Sequence, residues 1–108
     1  MIEHLTNDNY AKHINGNTNC VIDFSATWCG PCKMIKPVYE ELSNLCGNYS
    51  KSNLHFYCTD VDNDDEIAEK YNITCMPTFV FIHNGKEVHR ILGLFEKQDF
   101  IKNLNKFY

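Results

Sequence analysis

The feature that most constrains this chain is a pair of cysteines placed where a strand pattern gives way to a helix pattern. Residues 20–26 form a nearly continuous apolar run of strand length, which is typical of a strand covered on both faces. From Pro31 to about Tyr49, apolar side chains recur at helical spacing. Cys29 and Cys32 lie between the two patterns, so we expect both thiols at the start of a helix that follows a buried strand.

This position activates a thiol. The unpaired N–H groups and the positive dipole end of a helix N-terminus stabilise an anion, so Cys29 is predicted to be the more acidic cysteine. Pro31 suits the first helical position because its ring presets the helical φ. Folded into one turn, the two cysteines bring their Cα atoms within the roughly 4.4–6.8 Å that a disulfide requires. We therefore expect a disulfide that opens and closes with little backbone movement.

Length, composition and net charge limit the class of protein to which this chain can belong. The 108 residues are predicted to form one domain, 1–108, and 44% hydrophobic and 13% aromatic residues favour a packed core over disorder. The net charge of −4 argues against nucleic acid as a partner. The sequence lacks both an apolar run of about 18 residues and the pattern of a signal peptide, which predicts a cytoplasmic protein without a membrane segment.

Six cysteines allow two interpretations. In a small secreted domain they would indicate a disulfide framework. Here four of them are scattered singly, at Cys20, Cys46, Cys58 and Cys75, and the chain has apolar residues enough for a core. A CxxC beside a βαβ pattern is typical of a redox-active pair in a reducing compartment, and we favour that interpretation. Cys20, Cys46 and Cys58 are expected to act as small buried apolar residues.

The remaining patterns predict an α/β sandwich with helices on both faces of a mixed sheet. Strands are predicted at 2–5, 20–26, 54–58 (running on towards Asp62), 80–83 and 86–92. Helices are predicted from an Asn7 or Asp8 cap to Ile14, over 31–49, from the acidic run 64–66 to about Tyr71, and over 96–107. Asn84-Gly85 predicts a type I′ hairpin turn, and the second and third strands with their helix form a parallel βαβ unit.

Within the long helix, an apolar stripe is predicted to face the core: Met34, Ile35, Val38, Leu42 and Leu45. Gly47-Asn48 and the polar residues after them are predicted to end this helix. The acidic run 64–66 lacks the glycine and terminal glutamate of a calcium loop, so a charged helix start is the better interpretation.

The segment Trp28-Cys29-Gly30-Pro31-Cys32-Lys33, preceded by Val21-Ile22-Asp23-Phe24-Ser25-Ala26-Thr27, resembles the active site of the thioredoxin family. The order of predicted elements resembles the thioredoxin fold over essentially the whole chain. The resemblance implies a three-layer α/β/α domain with a mixed five-stranded sheet. It also implies a protein-disulfide reductase that takes part in electron transport and cell redox homeostasis.

The family likeness implies a role for Asp23 as a buried acid that relays a proton to or from Cys32. From the residues alone, Asp23 is either desolvated in a central strand, which raises its pKa, or a solvated residue at a strand end. Two departures from bacterial members qualify the match, since Ser25 stands where many have tryptophan and Cys58 where many have lysine. The second departure puts the proton environment of Asp23 in question.

Met76-Pro77-Thr78 matches the family segment that lies against the cysteines and holds a cis proline. Sequence alone gives no preference for cis, which occurs in about 5–6% of such bonds, and the alternative is a trans proline opening an edge strand. The resemblance implies that Met76 offers backbone hydrogen bonds to an extended substrate. It also implies a shallow apolar groove between Trp28, Gly30 and Pro31 on one side and Met76, Pro77 and Gly93 on the other.

Cys75 adjoins this loop, and two interpretations stay open: an exposed thiol with a regulatory role, or an inert small residue. We expect a monomer with no bound cofactor beyond the Cys29–Cys32 disulfide, although the sequence itself carries no signal for the oligomeric state. The implied partners are thioredoxin reductase and disulfide substrates such as peroxiredoxins and ribonucleotide reductase.

Two other function classes compete with the reductase. One CxxC supplies two of the four ligands of a structural zinc, and His55 and Cys58 point to opposite faces of one strand, so no metal site is predicted. An iron–sulfur cluster bridging two chains is similarly disfavoured. A binding module that uses the groove to hold a partner has the same sequence features as the reductase, and this alternative stays open.

Overall fold

The computed structural model describes residues 2–46 and 54–108, and these form one mixed sheet with helices on both faces. The strands are β1 (Ile2–His4), β2 (Cys20–Ser25), β3 (His55–Asp60), β4 (Thr78–His83) and β5 (Lys86–Leu92). The helices are α1 (Tyr10–His13), α2 (Gly30–Cys46), α3 (Asp65–Lys70) and α4 (Lys97–Phe107). The order of elements is the predicted one, and the predicted end of α2 at Gly47-Asn48 falls outside the described residues.

The sheet has the strand order β1-β3-β2-β4-β5, which places β2 at its centre. β3 pairs in parallel with β1 and β2, whereas β4 is antiparallel to both β2 and β5. The parallel βαβ unit and the terminal hairpin are therefore confirmed. In this register Asp23 lies opposite Cys58 on one side and Phe79 on the other.

Each face of the sheet carries its own apolar core. Alternate residues of β2 point to opposite faces, as the two-residue period of a strand requires. Val21 packs with side chains from α2 and α4, and Ile22 packs with side chains from α3 and the segment around α1. β2 is thus covered on both faces, which is why its sequence reads as an unbroken apolar run.

The predicted core stripe of α2 is partly wrong. Ile35 and Leu42 are buried, but Met34 is 69% exposed and Leu45 67% exposed. The face that enters the core is rotated towards Tyr39, which is 1% exposed, and its hydroxyl lies 3.1 Å and 2.8 Å from the carbonyl oxygens of Val21 and Tyr57. A hydropathy stripe misses this residue because its polar atom is satisfied by strand backbone that only the fold brings near.

Asn7 has a different partner from the predicted one. Its side-chain oxygen accepts from the backbone N–H of Glu66 in α3, while its own N–H donates to the Asp64 carboxylate. Asn7 therefore caps α3 across the fold, and α1 begins later, at Tyr10. Long-range capping of this kind has no local sequence signature, since the two segments are far apart in the chain.

The β4–β5 turn generates a stability prediction. Asn84 and Gly85 both have positive φ, 51° and 79°, as a type I′ turn demands. A Cβ at Gly85 would overlap the backbone of Asn15 and Gly16. We expect Gly85→Ala to lower the free energy of unfolding by about 2 kcal/mol or more, because left-handed backbone alone costs about 1–2 kcal/mol.

Urea unfolding at constant m-value measures this loss. Gly16→Ala is the matched control, because a Cβ there meets no atom of the described residues within 4 Å. Equal midpoints for the two variants would contradict the strain argument.

Candidate active site

The two reactive sulfurs lie at the start of α2. Cys29 is the residue just before the helix, and its carbonyl accepts the N–H of Lys33. The backbone N–H of Cys32 donates to the Cys29 sulfur over 3.2 Å, so the thiol occupies the place of a capping side chain. Pro31 falls at the second helical position instead of the predicted first, because the helix begins one residue earlier, at Gly30.

Cys29 and Cys32 are joined by a disulfide, with Cα atoms 5.3 Å apart. Both are largely buried, and they pack with Ala26 at the end of the β2 segment and against Val61 and Met76. A thiolate formed at Cys29 would receive the Cys32 N–H and the positive end of the 17-residue α2 dipole. The site can therefore carry out thiol–disulfide exchange.

Asp23 lies on the face of β2 that α2 covers, and it is only 5% exposed. Its Oδ1 atom has no hydrogen-bond partner among the described residues. Desolvation raises the pKa of this carboxyl to about 7, an effect that the positive charge of Lys36 partly opposes. The buried interpretation of Asp23 is the correct one, and the group titrates near neutral pH.

Asp23 and Cys32 share one open cavity of about 610 Å³ between α2 and the β1–β3–β2 part of the sheet. Ser25 and Cys58 line it from the sheet, and Lys36 from the helix. Cys58 is half-buried, with its sulfur 3.5 Å from His4 Nδ1, which differs from the fully buried position predicted for it. Because the cavity is open, it connects the buried Asp23 carboxyl to solvent.

The second side of the site is the loop before β4. The Met76–Pro77 peptide bond is cis, as the family likeness implied. The N–H of Gly93 donates to the Pro77 carbonyl over 2.8 Å, and Gly93 has a φ of 82°, which favours glycine. This bond ties the end of β5 to the loop, so the structure brings Met76, Pro77 and Gly93 together.

Trp28 stands next to the cysteines and is 66% exposed. Its indole N–H donates to the Asp62 carboxylate over 2.7 Å, which anchors the exposed ring to the loop after β3. Gly30 and Pro31 are also exposed. Sequence reasoning missed Asp62, because nothing local links this acid to a tryptophan 34 residues earlier.

Lys36 was not predicted as a site residue either, although its spacing from Cys32 was a usable signal. It follows Cys32 by four residues, and residues at that spacing lie on the same helix face. Its effect on Asp23 depends on that face turning towards β2, which the apolar stripe did not indicate.

The other four cysteines of the sequence are free. Cys20 and Cys46 are buried, as predicted, and burial raises the pKa of both thiols. Cys75 is exposed, with its sulfur 3.7 Å from the Thr78 hydroxyl. Exposure satisfies one condition for a regulatory thiol, and that role stays a prediction.

Within residues 2–46 and 54–108, no three metal-ligating side chains are grouped in a way that would hold an ion. Over the same ranges, no helix has both the length and the apolar character needed to cross a bilayer.

The fold and the cysteine pair define a thiol–disulfide oxidoreductase. A family model described as thioredoxin matches residues 1–106. A thioredoxin from Malassezia sympodialis is 43% identical over 86 residues, which cover 80% of this chain and 79% of that protein. Human thioredoxin is 42% identical over 93 residues, which cover 86% of this chain and 84% of that protein.

A crystal structure of Fasciola hepatica thioredoxin superimposes with a TM-score of 0.84 at 38% identity. The match covers 98% of this chain and 99% of that one. The chain belongs to the thioredoxin family, and it is a protein-disulfide oxidoreductase with the thioredoxin fold.

Asp23 generates a prediction on stability and pH. Its pKa is 3.8 when unperturbed and about 7 in the fold, so between these values the folded state binds more protons than the unfolded chain. The free energy of unfolding of the oxidised protein should therefore fall as pH rises from about 4 to 7 and level off above. The loss is at most about 4 kcal/mol, at about 1.4 kcal/mol per pKa unit.

Asp23→Asn should remove this fall and leave a protein that is more stable than wild type at pH 8. Urea unfolding from pH 4 to pH 9 measures both effects. Asp8→Asn, a change at an exposed aspartate, is the control. A wild-type curve that keeps its slope in Asp23→Asn would show that another group is responsible.

Proposed function

We propose that this protein reduces protein disulfides by a two-cysteine mechanism that Cys29 begins. The Cys29 thiolate attacks one sulfur of the substrate disulfide, and a mixed disulfide forms while the other substrate sulfur leaves as a thiolate and takes up a proton. The observation that carries this assignment is the 3.2 Å hydrogen bond from the Cys32 N–H to the Cys29 sulfur at the start of α2. That donor and the helix dipole stabilise negative charge on Cys29, whereas Cys32 lies inside the first turn.

Cys32 completes the turnover. Its thiol gives a proton, through water in the cavity, to the Asp23 carboxylate, and the resulting thiolate attacks the Cys29 sulfur. The bond between Cys29 and the substrate breaks, the second substrate sulfur leaves as a thiolate, and the Cys29–Cys32 disulfide forms. The substrate disulfide gains two electrons, which the protein dithiol loses. A carboxyl with a pKa of about 7 suits this transfer, since it accepts and releases protons near neutral pH.

The substrate segment is proposed to lie in the groove between Trp28, Gly30 and Pro31 on one side and Met76, Pro77 and Gly93 on the other. Trp28 is exposed directly beside Cys29, so its large apolar ring is available to anchor a substrate segment there. Met76 contacts the cysteine cluster directly, so a chain laid against its backbone would present a disulfide to Cys29.

We further propose that residues 1–108 act as a single monomeric domain in the cytoplasm and need no bound cofactor. Free thiols at Cys20, Cys46, Cys58 and Cys75 suit a reducing compartment. There the protein would pass electrons from a thioredoxin reductase to substrates such as peroxiredoxins and ribonucleotide reductase, and so contribute to cell redox homeostasis.

The cysteine roles are tested by insulin disulfide reduction with dithiothreitol as the electron source. We expect Cys29→Ser to abolish turnover, because no thiolate is left to attack the substrate. Cys32→Ser, reduced and then freed of dithiothreitol before insulin is added, should instead accumulate a mixed disulfide between Cys29 and insulin, which is visible on a non-reducing gel. Cys46→Ala, at the far end of the same helix, controls for the loss of a cysteine.

Retained turnover in Cys32→Ser would refute the two-cysteine mechanism. A wild-type protein that binds insulin without reducing it would favour the binding-module alternative.

The groove is tested by a pair of equally exposed side chains. Trp28 is 66% exposed beside the cysteines, and Leu45 is 67% exposed near the other end of α2. We expect Trp28→Ala to raise KM for insulin about five- to tenfold, since an apolar anchor in an interface typically contributes more than about 1 kcal/mol. Leu45→Ala should leave KM unchanged, and an equal rise in both variants would contradict the placement of the groove.

A further inference from the structure

The cavity beside Asp23 holds an ammonium group to which the mechanism above gives no role. Lys36 lies one helical turn beyond Cys32, so both side chains are on the same face of α2. Both line the cavity that Asp23 lines from β2. The helix therefore presents the resolving cysteine and a cation to the same buried carboxyl.

We propose that Lys36 is a positioning residue for proton transfer between Asp23 and Cys32, acting from the helix side of the cavity that all three side chains line. Its positive charge stabilises the carboxylate form of Asp23. More of the protein is then ready to accept the Cys32 proton at neutral pH. The proposal depends on the roles given above to Asp23 and Cys32, and it adds the residue that tunes them.

Other titratable side chains also line this cavity, and each could affect the charge of the Asp23 carboxyl. From α2 they are Lys33, Tyr39 and Glu40, and from the sheet they are His4, Cys58 and Asp60. The buried Tyr39 and the Cys58 thiol have raised pKa values, so both are neutral at pH 7. The electrostatic stabilisation of the Asp23 carboxylate comes from Lys36, which opposes the desolvation of that group.

The β3 residue paired with Asp23 offers a second position from which a lysine could act on the carboxyl. Cys58 is directly opposite Asp23 in the parallel register, and its side chain lines the same cavity. A lysine introduced at residue 58 would bring an ammonium group to Asp23 from the sheet instead of the helix. If only the charge matters, moving it in this way should preserve the chemistry.

The first measurement is the titration of the Asp23 carboxyl carbon by NMR in the oxidised protein. We expect Lys36→Met to raise the midpoint by about one unit, the lower end of the range that a nearby charge produces. Lys36→Arg should keep the wild-type midpoint, and Lys36→Met combined with Cys58→Lys should return it towards that value. Lys102→Met, on α4 away from the cavity, makes the same change in net charge and should leave the midpoint in place.

The second measurement isolates the resolving step. The reduced protein is mixed at low pH with 5,5′-dithiobis(2-nitrobenzoate) to load thionitrobenzoate on Cys29, and a pH jump then starts its release by Cys32. At pH 7 we expect Lys36→Met to release it about fivefold more slowly, because a one-unit rise from about 7 leaves about a tenth of Asp23 ionised instead of half. At pH 9 the two rates should converge.

A structural defect would slow release by the same factor at every pH, and that result would overturn the proposal. It would also be overturned by an unchanged NMR midpoint in Lys36→Met, or by an equal shift in Lys102→Met. His4→Gln serves as a background without an imidazole beside the cavity, and the Lys36 effect should persist there. A wild-type release rate that does not depend on pH would instead count against the roles of Asp23 and Cys32, which separates the two failures.

Discussion

The burial of β2 between two helical layers is the constraint on which the rest of the site depends. β2 is paired on both edges, by β3 and β4, and covered on both faces, so its position and its end are fixed. The chain leaves this strand at Ser25 and enters α2 at Gly30, which sets Cys29 at the helix start where the Cys32 N–H reaches its sulfur. A disulfide site on a loop would lack this preorganised donor, and a helix without a fixed strand behind it would not hold the sulfur at a defined depth.

The same burial explains the raised pKa of the Asp23 carboxyl. A carboxyl on the covered face of a central strand loses most of its hydration, and the charged form becomes costly. Here the cost is moderated by an open cavity and by the charge of Lys36, which leaves the group titrating near neutrality instead of being permanently protonated. The buried Asp23 carboxyl lowers the free energy of unfolding at neutral pH. Such a cost is the pattern expected where a buried titratable group serves a reaction.

Sequence reasoning succeeded where the signal was local and failed where it depended on the fold. The strand–CGPC–helix order, the βαβ unit and the Asn84-Gly85 turn follow from short-range chemistry, and all three are present. The buried face of α2 was placed partly wrongly, because Tyr39 counts as polar in a hydropathy stripe until β2 and β3 supply carbonyl oxygens to its hydroxyl. Asn7, Asp62 and Lys36 were missed in the roles they have, since each acts on a residue that only tertiary structure brings near.

The two cysteines of the disulfide differ in their access to the cavity, since Cys32 lines it and Cys29 is not among its lining residues. Cys32 lines the polar cavity with Asp23 and Lys36, whereas Trp28 directly precedes Cys29, and Met76 packs against the cluster that both cysteines form with Ala26. A substrate covering the groove would therefore leave the cavity open to solvent. In the proposed mechanism, protons could then enter and leave beside Asp23 while a mixed disulfide occupies Cys29, before the resolving step releases the substrate. The start of α2 accounts for this arrangement, since the two cysteines are three residues apart and close enough for a disulfide, while Cys32 is the one that lines the cavity.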